Sequence, residues 1–241
     1  MIRLHEFNAA WWGAPVGIIT DPCFFKLPVA EQRTALASYA WVEFKAPLES
    51  APSVCELLRA GFAQIDTQIH FHLDLGRIRA AHSRDDLEVR FADEHAFTIS
   101  ADEPATFVHE RFMHLPGMTQ QLLARRYAQW AGELVAHHPR WCLQVFYQAR
   151  LQGWFLAQMQ GTKLNLSLAM LHRDASISGM YLYQKAMLAY AQRGARLGYA
   201  SFSVRNVAVH RLYAGMGAVF VKPEGCWIWM REQKSDGLSS L

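Results

Sequence analysis

The chain has 241 residues, 51% of them apolar and 19% charged, with a formal net charge of +3. That much apolar side chain supplies a packed core and excludes a disordered chain. No run of 18 apolar residues marks a membrane span, the opening Met1-Ile2-Arg3-Leu4-His5-Glu6 lacks a secretory segment, and no dense basic stripe marks a nucleic-acid protein. A cytoplasmic protein without membrane or nucleic-acid partners is expected.

Four cysteines, Cys23, Cys55, Cys142 and Cys226, lie far apart with no C-x-x-C pair, which reads as buried hydrophobes rather than a disulfide framework. The basic class holds 18 Arg and 6 Lys. Arg173, Arg193, Arg196, Arg205 and Arg211 fall within one stretch, and arginine suits bidentate phosphate contacts.

In chain order, Pro15 to Ile19 predicts a strand and Val29 to Tyr39 a helix. Trp41 to Phe44 predicts a strand, and Ala51 to Ala60 a helix stopped at Gly61. Gln64 to Leu75 alternates as a long strand. Arg77 to Asp86 is polar and aperiodic, which places a domain boundary between residues 82 and 83. Leu87 to Phe91 predicts a strand, followed by a short helical patch from Asp93. Met118 to Val135 carries a strong helical period. Strands over Trp141 to Ala149 and Trp154 to Met159 flank Gln152-Gly153, read as their hairpin turn, and Lys163 to Leu171 is a third. A helix over Gly179 to Arg193 ends at Gly194, and Tyr199 to Val204 is a strand. A helix over Asn206 to Ala214 and strands over Gly217 to Val221 and Cys226 to Met230 complete the order before a polar tail from Lys234. This succession is α/β with a mixed sheet.

Several chemistries have no support. The serine elbow is absent, since Ser176-Ile177-Ser178-Gly179-Met180 has serine where its first glycine belongs. His70 and His72 share a strand face without a third ligand at a sensible spacing, so no metal is expected. Neither dinucleotide nor P-loop glycine pattern occurs. What remains is the junction Leu166 to Met180, where an apolar strand enters a small-residue loop that opens a long helix. First-turn amides of such a helix lack internal partners and suit an anion.

Downstream, Asn206-Val207-Ala208-Val209-His210-Arg211-Leu212-Tyr213-Ala214-Gly215-Met216-Gly217-Ala218 resembles the N-x-x-(A/V)-x-x-L-Y-x-x-x-G-(F/A) signature of the GNAT acetyltransferases. The small-residue loop lies at that superfamily's distance for its R/Q-x-x-G-x-G/A acetyl-CoA loop, with Gly179 on the final glycine. The likeness extends to bacterial sugar-nucleotide N-acetyltransferases of the dTDP-fucosamine type. Phe7-Asn8-Ala9-Ala10-Trp11-Trp12-Gly13 resembles their W-D-S-x-F-F-G opening. Arg111-Phe112 with Pro116, then Tyr127 and Trp130, resembles their S-R-F-H-x-D-P and L-Y-x-x-W segment. Asp174 and Ile177 depart from the loop's Arg/Gln and Gly, Asn8 from the opening Asp, and Met113 from the His, with His114 adjacent.

The resemblance implies a mixed central sheet of GNAT type over residues 83–241, with a smaller N-terminal α/β unit over residues 1–82. Glu56 to Phe62 mirrors Leu212 to Ala218, so the smaller unit reads either as a degenerate half of the same fold or as a chance likeness. Acetyl-CoA is implied as co-substrate, held by Leu171, Arg173, Ile177, Ser178, Gly179, Met180 and Asn206. Tyr213 is implied as the acid that protonates the leaving sulfur. For the base, His172 and a water chain both stay open. Arg111 and His114 are candidates to meet the acceptor, a small-molecule primary amine, with a nucleotide-linked amino sugar favoured. Another small amine, a peptide N-terminus, a non-catalytic CoA-binding module and a homodimer all stay open. Trp11, Trp12, Tyr127 and Trp130 read as base-stacking candidates or as core.

Overall fold

The computed structural model describes residues 1–78 and 84–231. Its chain divides into two compact units, Gln68–Lys222 and Met1–Thr67 with the segment from Pro223. The boundary expected between residues 82 and 83 lies outside the described residues, as does the tail from Lys234.

The larger unit is built on β4 (Ala63–Asp74, from Gln68 onward), β5 (Leu87–Phe91), β6 (Cys142–Tyr147), β7 (Arg150–Gln160), β8 (Lys163–Leu171) and β9 (Leu197–Ser203). They pair in the order β4-β9-β8-β7-β6-β5, antiparallel throughout except for β8 with β9. Alternation along β7 decides which helix covers which face. Phe155 and Ala157 face α5 (Gly179–Gln192), which lays Leu182, Ala186, Met187 and Tyr190 on them. Trp154 and Leu156 face the other way, under Leu123, Tyr127, Ala131 and Leu134 of α4 (Gln120–His137). Each buried Leu, Met or Phe among them contributes roughly 1.5–3 kcal/mol. The Tyr190 hydroxyl donates to the Phe155 carbonyl at 2.8 Å, so α5 is also tied to β7 by a buried hydrogen bond.

Two register shifts interrupt this sheet, one leaving Gln152 of β7 as an extra residue between Val145 and Phe146 of β6, the other in β8. Leu156 pairs with Leu168 but Gln158 with Asn165, so β8 carries one extra residue around Leu166-Ser167. A bulge bends its strand and raises the local twist. Beyond the bulge, β8 stays paired to β7 but leaves β9.

Three expectations are corrected. The β6–β7 hairpin turns at Gln148-Ala149, both at positive φ (48° and 61°), not at Gln152-Gly153. Gly153 is a mid-strand residue, and a Cβ there would lie 2.5 Å from the Met170 carbonyl oxygen. The glycine answers a close approach of strands, a need that a turn signal imitates. The patch from Asp93 is a turn closed by Glu94 and His95 N–H on the Phe91 carbonyl, not a helix. The last two expected strands are a single one, β10 (Val219–Met230), running through Pro223 and Gly225.

The smaller unit orders β1 (Ile2–Leu4), β2 (Val16–Ile19), β3 (Trp41–Pro47) and the end of β10, with β2 and β3 parallel. Its core gathers Phe24, Phe25, Phe44, Phe62 and Trp227 with Leu57 of α3 (Val54–Arg59). The predicted helix near Val29 is α2 (Val29–Leu36). Buried Gln32 donates to the carbonyls of Phe24, Phe25 and Leu27, fastening the preceding 3-10 turn. The resemblance segment around Trp11 forms α1 (Glu6–Trp12). There Asn8 is buried and accepts from the Trp11 indole N–H at 2.9 Å, and Trp11, Trp12 and Trp41 pack on one another. Trp11 and Trp41 are buried, and Trp12 stays half-buried beside them. Cys142 and Cys226 are buried as expected, and burial pushes the Cys142 thiol up to about 12; Cys23 and Cys55 are exposed instead.

Candidate active site

Parallel strands β8 and β9 pair over only three residues, Lys163 to Asn165 against Leu197 to Tyr199. The bulge then carries β8 away from β9. A small apolar cleft lies against β8, lined by Phe155 and Leu156 of β7, Leu166, Leu168 and Ala169 of β8, the inner face of α5, and Tyr213. Leu166 and Tyr213 lie with the α5-side core and Leu168 with the α4-side core, so the cleft joins the two faces of the sheet. A gap between diverging parallel strands also exposes backbone. The His172 N–H donates to the Gln152 carbonyl of β7. By alternation the backbone groups of Ala169 and Leu171 face away from β7, towards the opening.

Tyr213 comes from α6 (Val207–Gly215). It is 5% exposed, and its ring packs on Phe71 (centroids 4.1 Å apart), Tyr183 and Phe202. Burial holds its phenol well above the ordinary tyrosine value, so it stays protonated across neutral pH. Asn206 is the N-cap of α6 and accepts the Val209 N–H at 3.1 Å, so its carbonyl oxygen is used within the helix.

At the β8–α5 junction the predicted residues separate. Among the described residues, the amides of Ser178, Gly179 and Met180 donate no hydrogen bond, as an anion site at a helix N-terminus needs. Ser176 and Ile177 differ. Both amides donate to the side-chain oxygen of Gln152, at 2.9 and 3.1 Å. Arg173 is held by the Asp102 carbonyl at 3.0 Å and faces the carboxylates of Asp102 and Asp174. The end of the strand is also covered. Ala105 N–H donates to the Leu171 carbonyl and Arg173 N–H to the Glu103 carbonyl, leaving the open edge of β8 between the bulge and Met170. The His172 ring accepts the Asp174 N–H on Nδ1 at 3.1 Å, which places its proton on Nε2 and leaves that nitrogen a donor. In this arrangement His172 anchors the loop.

Arg111 opens a 3-10 turn (Arg111–His114) on the α4 side, its guanidinium 4.4 Å from the Phe112 ring centre. The side chain of His114 lies outside what the structure describes. Glu110 caps this turn and accepts the Tyr127 hydroxyl, while Tyr127 stacks on Phe107 at 3.8 Å. Tyr127 and Trp130 are therefore packing residues. Of the clustered arginines, Arg193 pairs with Asp93 and Glu94 and lies 3.5 Å over Phe91, a structural role. Arg205 and Arg211 are exposed. Among the described residues no group of three or more metal-type ligands occurs.

No protein-family model matches the chain, and no curated protein matches it. Solved structures do match. A GCN5-related N-acetyltransferase from Sphaerobacter thermophilus is similar with a TM-score of 0.53 at 15% identity, over 79% of this chain and 59% of that one. The tandem GNAT protein from the clavulanic acid biosynthesis pathway is similar at 0.52 and 13%, over 92% and 77%. The fold is that of the GCN5-related N-acetyltransferases. A third protein with this GNAT fold, from Kribbella flavida, is similar at 0.52 and 10% identity over 92% of this chain and 84% of its own. The Sphaerobacter protein is the longer one, and this chain spans 59% of it. Sequence reasoning missed Gln152 because Gln-Gly reads as a turn; only the pairing of β7 with β8 reveals the side chain beneath the loop.

Proposed function

We propose that the chain is an N-acetyltransferase that moves an acetyl group from acetyl-CoA directly to a primary amine, with a nucleotide-linked amino sugar as the favoured acceptor. The observation that carries this reading is the parting of β8 from β9 after Asn165, with Tyr213 on the wall of an apolar cleft against the freed stretch of β8. The donor set fits acetyl-CoA. Three unused amides of Ser178, Gly179 and Met180 meet a pyrophosphate, and an apolar cleft takes the end of the pantetheine arm.

In the reaction the amine nitrogen attacks the thioester carbonyl carbon, the new N–C bond forms and the C–S bond breaks. The Ala169 N–H, on the open edge, donates to the carbonyl oxygen as negative charge develops. Tyr213 gives its proton to the leaving sulfur and regains one from solvent. The amine's surplus proton leaves through water, because His172 can act as base only if Nδ1 releases the Asp174 N–H. Arg111, beside the α4 side of the sheet, is the cation offered to an acceptor phosphate.

A second reading, a CoA-binding module without catalysis, is favoured by the loop amides taken by Gln152 and by the tethered Arg173. One assay separates the two. The protein is incubated with acetyl-CoA and a panel of dTDP- and UDP-linked amino sugars, simple amines and peptides, and free thiol is measured. Amine-dependent thiol release supports the enzyme, and release with amines other than the amino sugars changes only the acceptor. Binding of CoA without release on any amine supports the module.

A further inference from the structure

Gln152 lies on β7 and is 1% exposed, yet it makes no contribution to the reaction described above. Its main-chain carbonyl accepts the His172 N–H at 2.9 Å. The oxygen of its side chain accepts three donors from the loop: Ser176 N–H at 2.9 Å, Ile177 N–H at 3.1 Å and the Ser176 hydroxyl at 3.4 Å. Its side-chain nitrogen donates to the Arg150 carbonyl at 3.1 Å, which fixes the orientation of the amide. One residue therefore grips both the end of β8 and the middle of the loop that opens α5.

Adjacent backbone N–H groups converging on one oxygen form an anion nest. Here the oxygen comes from the protein. A neutral carboxamide satisfies the two amides without adding charge next to the three N–H groups that follow. We propose that Gln152 is the positioning residue of this loop. By occupying the Ser176 and Ile177 amides it fixes the turn, so that the amides of Ser178, Gly179 and Met180 converge on the diphosphate of the acyl donor. The inference rests on the acetyl-CoA reading above. It also accounts for Ile177 where the family pattern has glycine, since an amide already bonded to Gln152 needs no close approach by a phosphate.

Two variants separate hold from charge. Gln152→Met keeps the length of the side chain and removes the acceptor and the donor. Gln152→Glu keeps the acceptor but brings negative charge and sets an oxygen against the Arg150 carbonyl. The measurements are amide hydrogen exchange at Ser176 and Ile177, and steady-state kinetics (with Kd where turnover is absent) for acetyl-CoA and for acetyl-pantetheine, which lacks the diphosphate.

Gln152→Met is expected to lose protection at Ser176 and Ile177 and to raise KM or Kd for acetyl-CoA at least 10-fold. Its constants for acetyl-pantetheine should stay within 3-fold of wild type. Gln152→Glu is expected to keep the two amides protected and still weaken acetyl-CoA selectively, through repulsion of the diphosphate. If Gln152→Met does not fold, the Gln152→Glu pattern alone decides the matter. Unchanged acetyl-CoA constants in a folded variant, or equal losses on both donors, overturn the proposal. Wild-type protein that binds no acetyl-CoA overturns the underlying reading instead, and the exchange data then report separately whether Gln152 holds the loop.

Discussion

Two helix–glycine–strand turns, α3 into β4 and α6 into β10, close with the same hydrogen bonds. Phe62 N–H donates to the Leu57 carbonyl and Ala218 N–H to that of Tyr213, each at 2.9 Å. Gly61 and Gly217 follow the helices at φ of 79° and 84°, the left-handed conformation that ends a helix in this way. The side chains at the matched position differ. Leu57 is an apolar residue of the smaller unit's core, whereas Tyr213 brings a phenol to the wall of an apolar cleft against β8. The closure is thus a folding device that works with either residue. Of the two, only the tyrosine adds a proton donor.

The strongest test of this contrast removes one oxygen. Tyr213→Phe is expected to lower kcat by roughly 100-fold or more. None of the side-chain hydrogen bonds among the described residues uses that hydroxyl, so stability should move by less than about 1 kcal/mol. A kcat within threefold of wild type would erase the chemical difference between the turns. At the matched position, Leu57→Ala empties a site that is 3% exposed and should cost about 2–5 kcal/mol in a urea titration. Activity per folded molecule should hold, and a loss there comparable to Tyr213→Phe would place chemistry in the smaller unit.

The glycines sharpen the comparison at lower amplitude. Alanine at either site meets the left-handed penalty of about 1–2 kcal/mol. At Gly61 the new Cβ also meets Trp229 Cδ1 at 3.1 Å, while at Gly217 it meets nothing within 4 Å. Gly61→Ala should therefore lower Tm more than Gly217→Ala, and the reverse order would show that the two closures are not equivalent.

The smallest effect is on pH dependence. Burial pushes Tyr183, packed edge-on against Tyr213, up to about 12, against ~10 in the unfolded chain. The folded state then keeps a proton that the unfolded state releases, so this stabilisation is whole below pH 10 and is lost as the pH rises towards 12. Tyr183→Phe should make the fall in Tm over that window shallower, whereas an identical slope would remove Tyr183 from the account.

Most elements were legible because their signals are local. Leu87 to Phe91 and Lys163 to Leu171 are strands with the predicted limits, and the period over Met118 to Val135 is α4 shifted by two residues. Along β4 Phe71 and Leu73 are buried, but upstream the burial switches to Asp66 and Gln68. That switch belongs to the fold as a whole and leaves no trace in the alternation. In the site, the spacing of Asn206 and Tyr213 falls on α6, where Asn206 caps the helix and Tyr213 lines the cleft. What the spacing could not show is competition. The amides of Ser176 and Ile177 look open in sequence, but the partner that takes them lies 24 and 25 residues upstream on another strand. The excess of arginine is likewise ambiguous in sequence. Arg173 and Arg193 face acidic partners from distant segments, which composition does not reveal.

The most direct measurement is an amide chemical-shift titration of the isotope-labelled protein with acetyl-CoA. The account places the shifts on Leu166 to Met180 and Asn206 to Tyr213, with the turn from Leu57 to Phe62 unmoved. Shifts concentrated at Leu57 to Phe62, or a spectrum unchanged at millimolar acetyl-CoA, would contradict it.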